Sequence, residues 1–385
     1  MKWVSCKIKD RIIHTIFFLS LFCSPYNQFT YWFACLVLPL ILYKWTSWQV
    51  GCYYLKRFVK SYLVVAVLTF LSSLLMFEFY YPVKAGVLMV SCCLLSWTLL
   101  NRLDSIDTVQ ALNDGIICAS IVFSIIAFSN LYNGGNSFEY EEDGWLGKNV
   151  IAFNIFIGYV CAIINYRLSR KLIYLVVLSL LIVVIFLTTS LKIIVCAVFL
   201  LSLLYNWRSI RNNFMLCVLF ITIYILSGEF ILEYFESGPG LLVKDRFLTM
   251  IGLTKYASQD LSFVDTREDL MAKALDVFYN NPLGVGLENT RLFIGTYSHN
   301  TFVELLCGGS VFLLGAFLLF LYKCFKSIFY YGNNYRIILL AVFLVLIFIS
   351  NAMKIYDSPL AIFAMIYISY LGYIITKCEH IQNIK

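Results

Sequence analysis

The stretch YSHNTFVELLCGGSVFLLGAFLLFLY, residues 297–322, contains the boundary that decides the fold. From residue 301 onward it is apolar and long enough to cross a membrane, which takes about 20 mainly apolar residues. Before it lies a polar segment of roughly seventy residues, from about 228 to 298. The chain therefore combines membrane spans with one long polar loop.

Composition places the whole chain in the membrane class. Of its 385 residues, 61% are hydrophobic and 13% charged, whereas a soluble domain has about 25% charged and 45–50% apolar residues. We predict an all-α polytopic integral membrane protein with about twelve transmembrane helices, forming a single membrane domain over 1–385. The approximate cores of the spans are 12–24, 29–43, 59–77, 82–100, 115–129, 149–166, 172–190, 192–205, 213–228, 301–322, 336–352 and 359–376.

The positions of the basic residues predict the orientation. Lys and Arg concentrate in alternate loops, which places both termini in the cytoplasm by the positive-inside rule. Two segments then face outside: a large loop, 228–300, between the ninth and tenth spans, and a smaller acidic loop, 130–148. The net charge of +7 reflects this topology and does not indicate nucleic-acid binding.

Part of the large loop, 266–280, has the pattern of an amphipathic helix lying on the membrane surface. Thr266 can cap its start. Its apolar face at helical spacing is Met271, Ala274, Leu275 and Phe278. Asn280-Asn281-Pro282 ends the helix, and Gly284 and Gly286 permit tight turns after it.

His299 lies where this loop meets the tenth predicted span. It is the only one of the three histidines on the outer face, and either Ser298 or Asn300 can cap the helix that follows. The helix dipole disfavours a charged ring at a helix N-terminus, so a neutral His299 can accept a proton. The alternative is a capping or interfacial histidine.

Several cations are predicted on the same side of the membrane as His299. They are Lys192, Arg246, Arg267 and Arg291. The planar fork of arginine suits phosphate oxygens, and cations with a neutral histidine are what transfer from a pyrophosphate-linked donor requires. Glu304, about one turn into the tenth span, carries a charge that is costly there, and we interpret it as functional.

Structural alternatives remain open for these cations. Arg267 can pair with carboxylates next to it in the loop, and Arg246 can reach lipid headgroups. Lys192 can anchor a tight turn at the interface. No metal site and no cofactor is predicted, because the thirteen cysteines form no CxxC pair and no cluster with histidine.

The order of these residues resembles the O-antigen polymerase and O-antigen ligase superfamily of membrane glycosyltransferases. The resemblance rests on Arg267, the NPLGVG segment 281–286, the SHNTFVEL segment 298–305, and Gly308-Gly309. It covers about fifty residues, from Arg267 to Gly315. The turn at 190–192 is similar to a short outer turn of the family in which arginine is common where this chain has lysine.

The resemblance implies polymerisation of undecaprenyl-pyrophosphate-linked oligosaccharide repeat units in the bacterial inner membrane. The loops 228–300 and 130–148 would then be periplasmic, and the transfer would need no metal. A flippase and a chain-length regulator of the same pathway are implied partners, beside membrane lipids. The residues assigned to pyrophosphate are Arg267, Arg246, Lys192 and Arg291. The catalytic pair is His299 and Glu304, and the residues that shape the site are Tyr297, Asn300, Gly284 and Gly286.

Two other functions are weighed against the polymerase. An O-antigen ligase would use the same donor and transfer the polymer to lipid A-core. The sequence around His299, however, resembles that of polymerases more closely. A lipid-linked oligosaccharide flippase would be expected to carry charges inside its spans, facing a cavity. Here the charges concentrate in one outer loop, which argues against transport.

Replacing His299 by Ala is expected to reduce polymer formation by about 10²–10⁴-fold, because the acceptor hydroxyl loses the group that takes or orients its proton. Polymer is measured on a gel and the membrane level of the protein by immunoblot, which should stay at the wild-type level. Wild-type-like polymer from this variant would contradict the catalytic role.

Overall fold

The computed structural model describes residues 2–23, 53–75, 78–132, 148–188, 190–204, 267–298, 300–350 and 356–384, together with residues 33, 37, 38 and 41. Throughout these ranges the regular structure is helical, with no β-strand. The described part of the chain is therefore all-α, as the composition predicts.

The helices are numbered in chain order. They are α1 (Lys2–Cys23), α2 (Tyr53–Ser72), α3 (Tyr80–Leu100), α4 (Ile106–Tyr132), α5 (Lys148–Ser169), α6 (Ile173–Leu187), α7 (Leu191–Ser202), α8 (Arg267–Asn280), α9 (Thr290–Ile294), α10 (Thr301–Tyr331), α11 (Arg336–Ser350) and α12 (Pro359–Ile384). Short 3-10 helices, Ser73–Leu75 and Asn333–Tyr335, follow α2 and precede α11.

The described helices include 5 that are long and apolar enough to cross a membrane. Their spanning segments are Tyr80–Leu100, Ile106–Ser129, Asn149–Ser169, Thr301–Tyr331 and Pro359–Cys378. Helices α6, α7 and α11 are apolar but shorter. The chain is a multi-pass membrane protein, and the total of about twelve spans stays a prediction.

Some predicted segments lie outside the described residues. They are most of the span 29–43, the span 213–228, the large loop as far as residue 266, and most of the acidic loop 130–148. The assignment of the two loops to the periplasm stays a prediction as well.

The chain divides into two compact units. Unit 1 comprises Met1–Tyr31 and Asp107–Ser262, and unit 2 comprises Trp32–Ile106 and Phe263–Lys385. Each unit is thus built from two stretches that are far apart in the sequence. The prediction of one membrane domain over 1–385 stays a prediction.

A largely buried carboxylate organises unit 1. Asp114 of α4 accepts hydrogen bonds from Asn165 Nδ2 and the Tyr174 hydroxyl, both at 2.8 Å, and pairs with Arg11 at 2.9 Å. These partners belong to α5, α6 and α1. A charge within a span is costly unless it is paired, so Asp114 holds these helices to α4.

In unit 2, α10 packs against α2, α8, α11 and α12. Phe320 of α10 is buried against Tyr62 of α2, with their ring centroids 5.0 Å apart. The Tyr62 hydroxyl donates to the carbonyl oxygen of Tyr356, in the turn between α11 and α12. Helix α2 is therefore fixed both to α10 and to that turn.

Helix α8 confirms the helix predicted for 266–280, but its buried face is different. The buried side chains are Leu270, Ala274 and Val277. Of the predicted face only Ala274 is among them, since Met271, Leu275 and Phe278 are half-buried. Cys307 Sγ of α10 lies 3.0 Å from the carbonyl oxygen of Ala274. Packing on α10 thus buries a stripe of side chains that is shifted from the predicted apolar face. The placement of that apolar face on the membrane surface stays a prediction.

Helix α10 is broken within its length. Gly309 (φ −140°, ψ 25°) and Ser310 (φ 63°, ψ −171°) leave helical geometry. A positive φ at a serine costs of order 1–3 kcal/mol, so surrounding contacts must hold it. Backbone groups released by such a break also need partners outside the helix.

The residues after α8, 281–298, supply those partners, and we call them the docked segment. The N–H groups of Val285 and Gly286 donate to the carbonyl oxygens of Cys307 and Gly308, both at 2.8 Å. Gly284 and Gly286 have φ of 93° and 82°, which confirms the predicted tight turns. A Cβ at Gly284 would lie 2.7 Å from the carbonyl oxygen of Gly308, so the close approach of the two backbones requires glycine.

Replacing Gly308 by Ala is expected to destabilise the protein by about 1–3 kcal/mol, because the added Cβ overpacks the contact. That Cβ would lie 2.7 Å from the Cα of Leu287, a backbone atom that cannot rotate away. The measurement is thermal unfolding of the purified protein in detergent, where the midpoint should fall by several degrees.

The matched control is Gly315→Ala in the same helix, where an added Cβ meets nothing within 4 Å. Alanine is favoured over glycine in a helix by up to about 1 kcal/mol, so this variant should be as stable as wild type or more so. Equal midpoints for the two variants would contradict the docking of 281–298 on α10.

Candidate functional site

The N-terminal end of α10, in unit 2, gathers several of the predicted site residues. They are Gly284, Gly286, Arg291, Tyr297, Asn300 and Glu304. Lys192 belongs to unit 1. Arg246 and His299 lie outside the described residues, as does the side chain of Arg267, whose backbone begins α8.

Asn300 is the residue that caps α10. Its Oδ1 accepts hydrogen bonds from the N–H groups of Phe302 at 2.9 Å and Val303 at 3.2 Å, and its backbone is extended. Ser298, the other predicted cap, is buried, and its hydroxyl donates to the carbonyl oxygen of Asn300 at 3.3 Å. The two residues that flank His299 in the chain are thus bonded to each other, and one of them opens the helix.

Glu304, within α10, holds the backbone at Ser298. Its side chain is fully buried, and Oε1 accepts a hydrogen bond from the N–H of Ser298 at 2.5 Å. Hydrogen bonds to a carboxylate are roughly twice as strong as neutral ones. Glu304 therefore holds the backbone immediately before His299. This contact gives the carboxylate a positioning role beside the predicted catalytic one, which stays a prediction.

Arg291 lies on α9 and is held by two groups. Its Nη2 is 3.4 Å from Glu288 Oε2, and its Cζ lies 3.5 Å from the ring centroid of Tyr81, at the start of α3. Its Nε is buried without a hydrogen-bond acceptor among the described residues. The Arg291 side chain is 36% exposed, against 8% for Glu288. A partly exposed guanidinium is therefore fixed by a buried carboxylate and an aromatic face.

Buried acids surround Tyr356 next to this guanidinium. Burial raises the pKa of the Tyr356 hydroxyl, and the charges of Glu288, Glu304 and Asp357 raise it further, while Arg291 lowers it. The hydroxyl consequently keeps its proton. Glu288 and Asp357 are themselves largely buried, and Glu288 has a positive φ of 68°, a backbone conformation rare for residues other than glycine.

Lys192 lies in the first turn of α7, within unit 1, and is half-buried. Ser190 precedes that helix, and its hydroxyl donates to Asn149 Oδ1 of α5 at 2.8 Å. The turn that carries Lys192 is therefore bonded to α5. Its contact with pyrophosphate stays a prediction.

The sequence patterns indicate no functional role for four side chains at this site: Tyr81, Glu288, Tyr356 and Asp357. An acidic residue placed between the glycine turn and the SHN segment is a signal that could have drawn attention to Glu288. Tyr81 carries no such signal, because it is remote in sequence from Arg291 and only the fold brings them together.

The arrangement combines a partly exposed arginine with buried acids. The Arg291 side chain is 36% exposed, whereas Glu288 and Glu304 are buried. Within the described ranges, no group of three or more His, Cys, Asp and Glu side chains is arranged to hold a metal ion. The chemistry that these residues offer is anion binding by arginine, in the same unit as a segment whose Ser298 and Asn300 are both held by hydrogen bonds.

Replacing Glu304 by Ala is expected to cost about 1–3 kcal/mol of stability, since a buried N–H, that of Ser298, loses its acceptor. Glu304→Gln should cost less, because the amide oxygen can accept the same hydrogen bond. The measurement is the unfolding midpoint in detergent. Asp276→Ala serves as the control, since Asp276 is an exposed carboxylate on α8 and should change stability by no more than about 0.5 kcal/mol. A wild-type midpoint for Glu304→Ala would refute the contact.

The chain matches no protein-family model and no curated protein. The resemblance to the O-antigen polymerase and ligase superfamily therefore rests on the motif residues alone.

Proposed function

We propose that the protein polymerises undecaprenyl-pyrophosphate-linked oligosaccharide repeat units into O-antigen or a similar surface polysaccharide. One observation carries the proposal. The described residues of the resemblance, 281–286, 298 and 300–305, form one assembly, in which the docked segment is hydrogen-bonded to α10 and the Ser298 N–H is bonded to Glu304. If the motif residues served only to end or begin separate helices, these hydrogen bonds would not be needed.

The charges in the assembly support a pyrophosphate-linked donor. Arg291 offers a guanidinium in a fixed position, and arginine binds phosphate oxygens through paired N–H donors. The negative charge on the leaving pyrophosphate grows as its bond to the sugar breaks, so a cation held in advance lowers the barrier. Lys192, Arg246 and Arg267 are proposed as further cations that bind pyrophosphate.

The proposed reaction is a single group transfer. The hydroxyl oxygen of the acceptor sugar forms a bond to the anomeric carbon of the donor chain, while the bond from that carbon to the pyrophosphate oxygen breaks. The hydroxyl proton passes to His299, and undecaprenyl pyrophosphate leaves as an anion. The proposed reaction uses no metal and no cofactor.

The remaining site residues have supporting roles in the proposal. Glu304 holds the backbone of Ser298, the residue before His299 in the chain, through its bond to the Ser298 N–H, and is also the candidate to assist proton transfer. Asn300 sets the start of α10, and Gly284 and Gly286 let the docked segment approach it. Tyr297, whose side chain is exposed, is proposed to contact the sugar.

The proposed setting is the periplasmic face of the bacterial inner membrane, with both termini in the cytoplasm. The substrates are then delivered by a flippase, and a chain-length regulator is a proposed partner. The O-antigen ligase remains the alternative, because it uses the same donor and differs in its acceptor, lipid A-core. The acceptor therefore decides between the two functions.

The deciding experiment is a gel of surface lipopolysaccharide from a strain that lacks the protein, with and without a plasmid copy. We expect core carrying a single repeat unit and no ladder in the deletion strain, and a restored ladder with the plasmid. Bare core, with polymer accumulating on the lipid carrier, would instead indicate the ligase. An unchanged ladder in the deletion strain would refute both functions.

A further inference from the structure

The start of α3 belongs to the same assembly as the docked segment. Asn289 Nδ2 donates to the carbonyl oxygen of Glu78 at 3.1 Å and to that of Val285 at 3.0 Å. Two residues further along, the guanidinium of Arg291 lies over the ring of Tyr81. Residues 78–81 thus contact the docked segment twice, once through the backbone and once through an aromatic face.

We propose that Tyr81 is a positioning residue for Arg291, and that it sets the orientation in which this guanidinium binds the pyrophosphate of the donor. The proposal rests on the proposed function. It adds the start of α3 to a binding site that the motif residues alone place on the docked segment and α10.

The geometry explains why an aromatic ring suits this task. The Cζ of Arg291 lies 3.5 Å from the ring centroid of Tyr81, well inside the distance of about 6 Å at which a cation interacts with a ring. All five N–H donors of a guanidinium lie in its plane, so contact through the face uses none of them. Glu288 takes one amino group, Nη2. Nε is buried, so the amino group Nη1 remains for a phosphate oxygen. The ring thus fixes the cation without occupying Nη1, whereas a second carboxylate would occupy it.

Burial supports the same assignment. Glu288 is largely buried while the Arg291 side chain is partly exposed. The carboxylate therefore holds Nη2 from the protein interior while part of the arginine side chain stays accessible. Without the ring, the long arginine side chain would regain rotamer freedom, which a bound ligand would then have to remove. Tyr81 therefore contributes to affinity by preorganising Arg291.

The neighbouring Tyr80 provides a matched control. It lies on the same turn of α3 and has the same chemistry, but it is 63% exposed, and the only cation recorded near its ring among the described residues is Lys84, with Nζ at 6.0 Å. The Tyr80 ring packs edge-on against the Tyr81 ring, with centroids 5.4 Å apart. A change at Tyr80 therefore removes a neighbour of Tyr81 but keeps the ring that contacts Arg291.

The test measures the Kd of the purified full-length protein in detergent for undecaprenyl pyrophosphate, with undecaprenyl monophosphate as the comparison. Tyr81→Leu should weaken binding of the pyrophosphate about tenfold, whereas Tyr81→Phe, which retains the ring, should stay within about twofold of wild type. Tyr80→Leu should also bind like wild type. If Tyr81→Leu does not purify as a folded protein, Tyr81→Met replaces it.

A double-mutant cycle separates positioning from a general loss of structure. In an Arg291→Met background, Tyr81→Leu should change the Kd by less than about twofold, because its effect passes through the missing guanidinium. A tenfold loss in that background, or wild-type binding by Tyr81→Leu alone, overturns the role of Tyr81. If the wild-type protein binds neither lipid, it is the proposed function that fails.

Discussion

The break in α10 is the constraint on which the rest of the site depends. Inside a membrane protein, backbone N–H and C=O groups that leave a helix must find partners within the protein. The carbonyls of Cys307 and Gly308 find theirs in the N–H groups of Val285 and Gly286. That bonding fixes the docked segment, which in turn brings Arg291 to the end of α10. A continuous helix would offer these carbonyls to its own next turn and leave the segment without an anchor.

Buried carboxylates recur in both units, and in each they join elements instead of facing solvent. Asp114 binds side chains from three other helices of unit 1. Glu304 accepts a hydrogen bond from the N–H of Ser298, and Glu288 pairs with Arg291. A carboxylate in apolar surroundings is stable only with such partners. These carboxylates therefore hold helices together in unit 1 and hold the candidate site together in unit 2.

The balance of charge at the end of α10 limits which ligands suit it. The acids Glu288, Glu304 and Asp357 are buried, and their charges add to the effect of burial in raising the pKa of Tyr356. Arg291 pairs with Glu288 and is the more exposed of the two, at 36% against 8%. The Arg291 side chain therefore offers an accessible positive charge beside these acids. In the proposed reaction the leaving pyrophosphate binds to it.

The sequence by itself determined the membrane class, the helical periods, the cap choice at Ser298 or Asn300, and the need for turns at Gly284 and Gly286. These follow from local rules of hydropathy, capping and backbone freedom. It also singled out Arg291 and Glu304 by charge. Only the tertiary structure decided which face α8 buries, that Glu304 bonds Ser298, and that Tyr81 supports Arg291. Those outcomes depend on packing between elements distant in the chain, which no local pattern encodes.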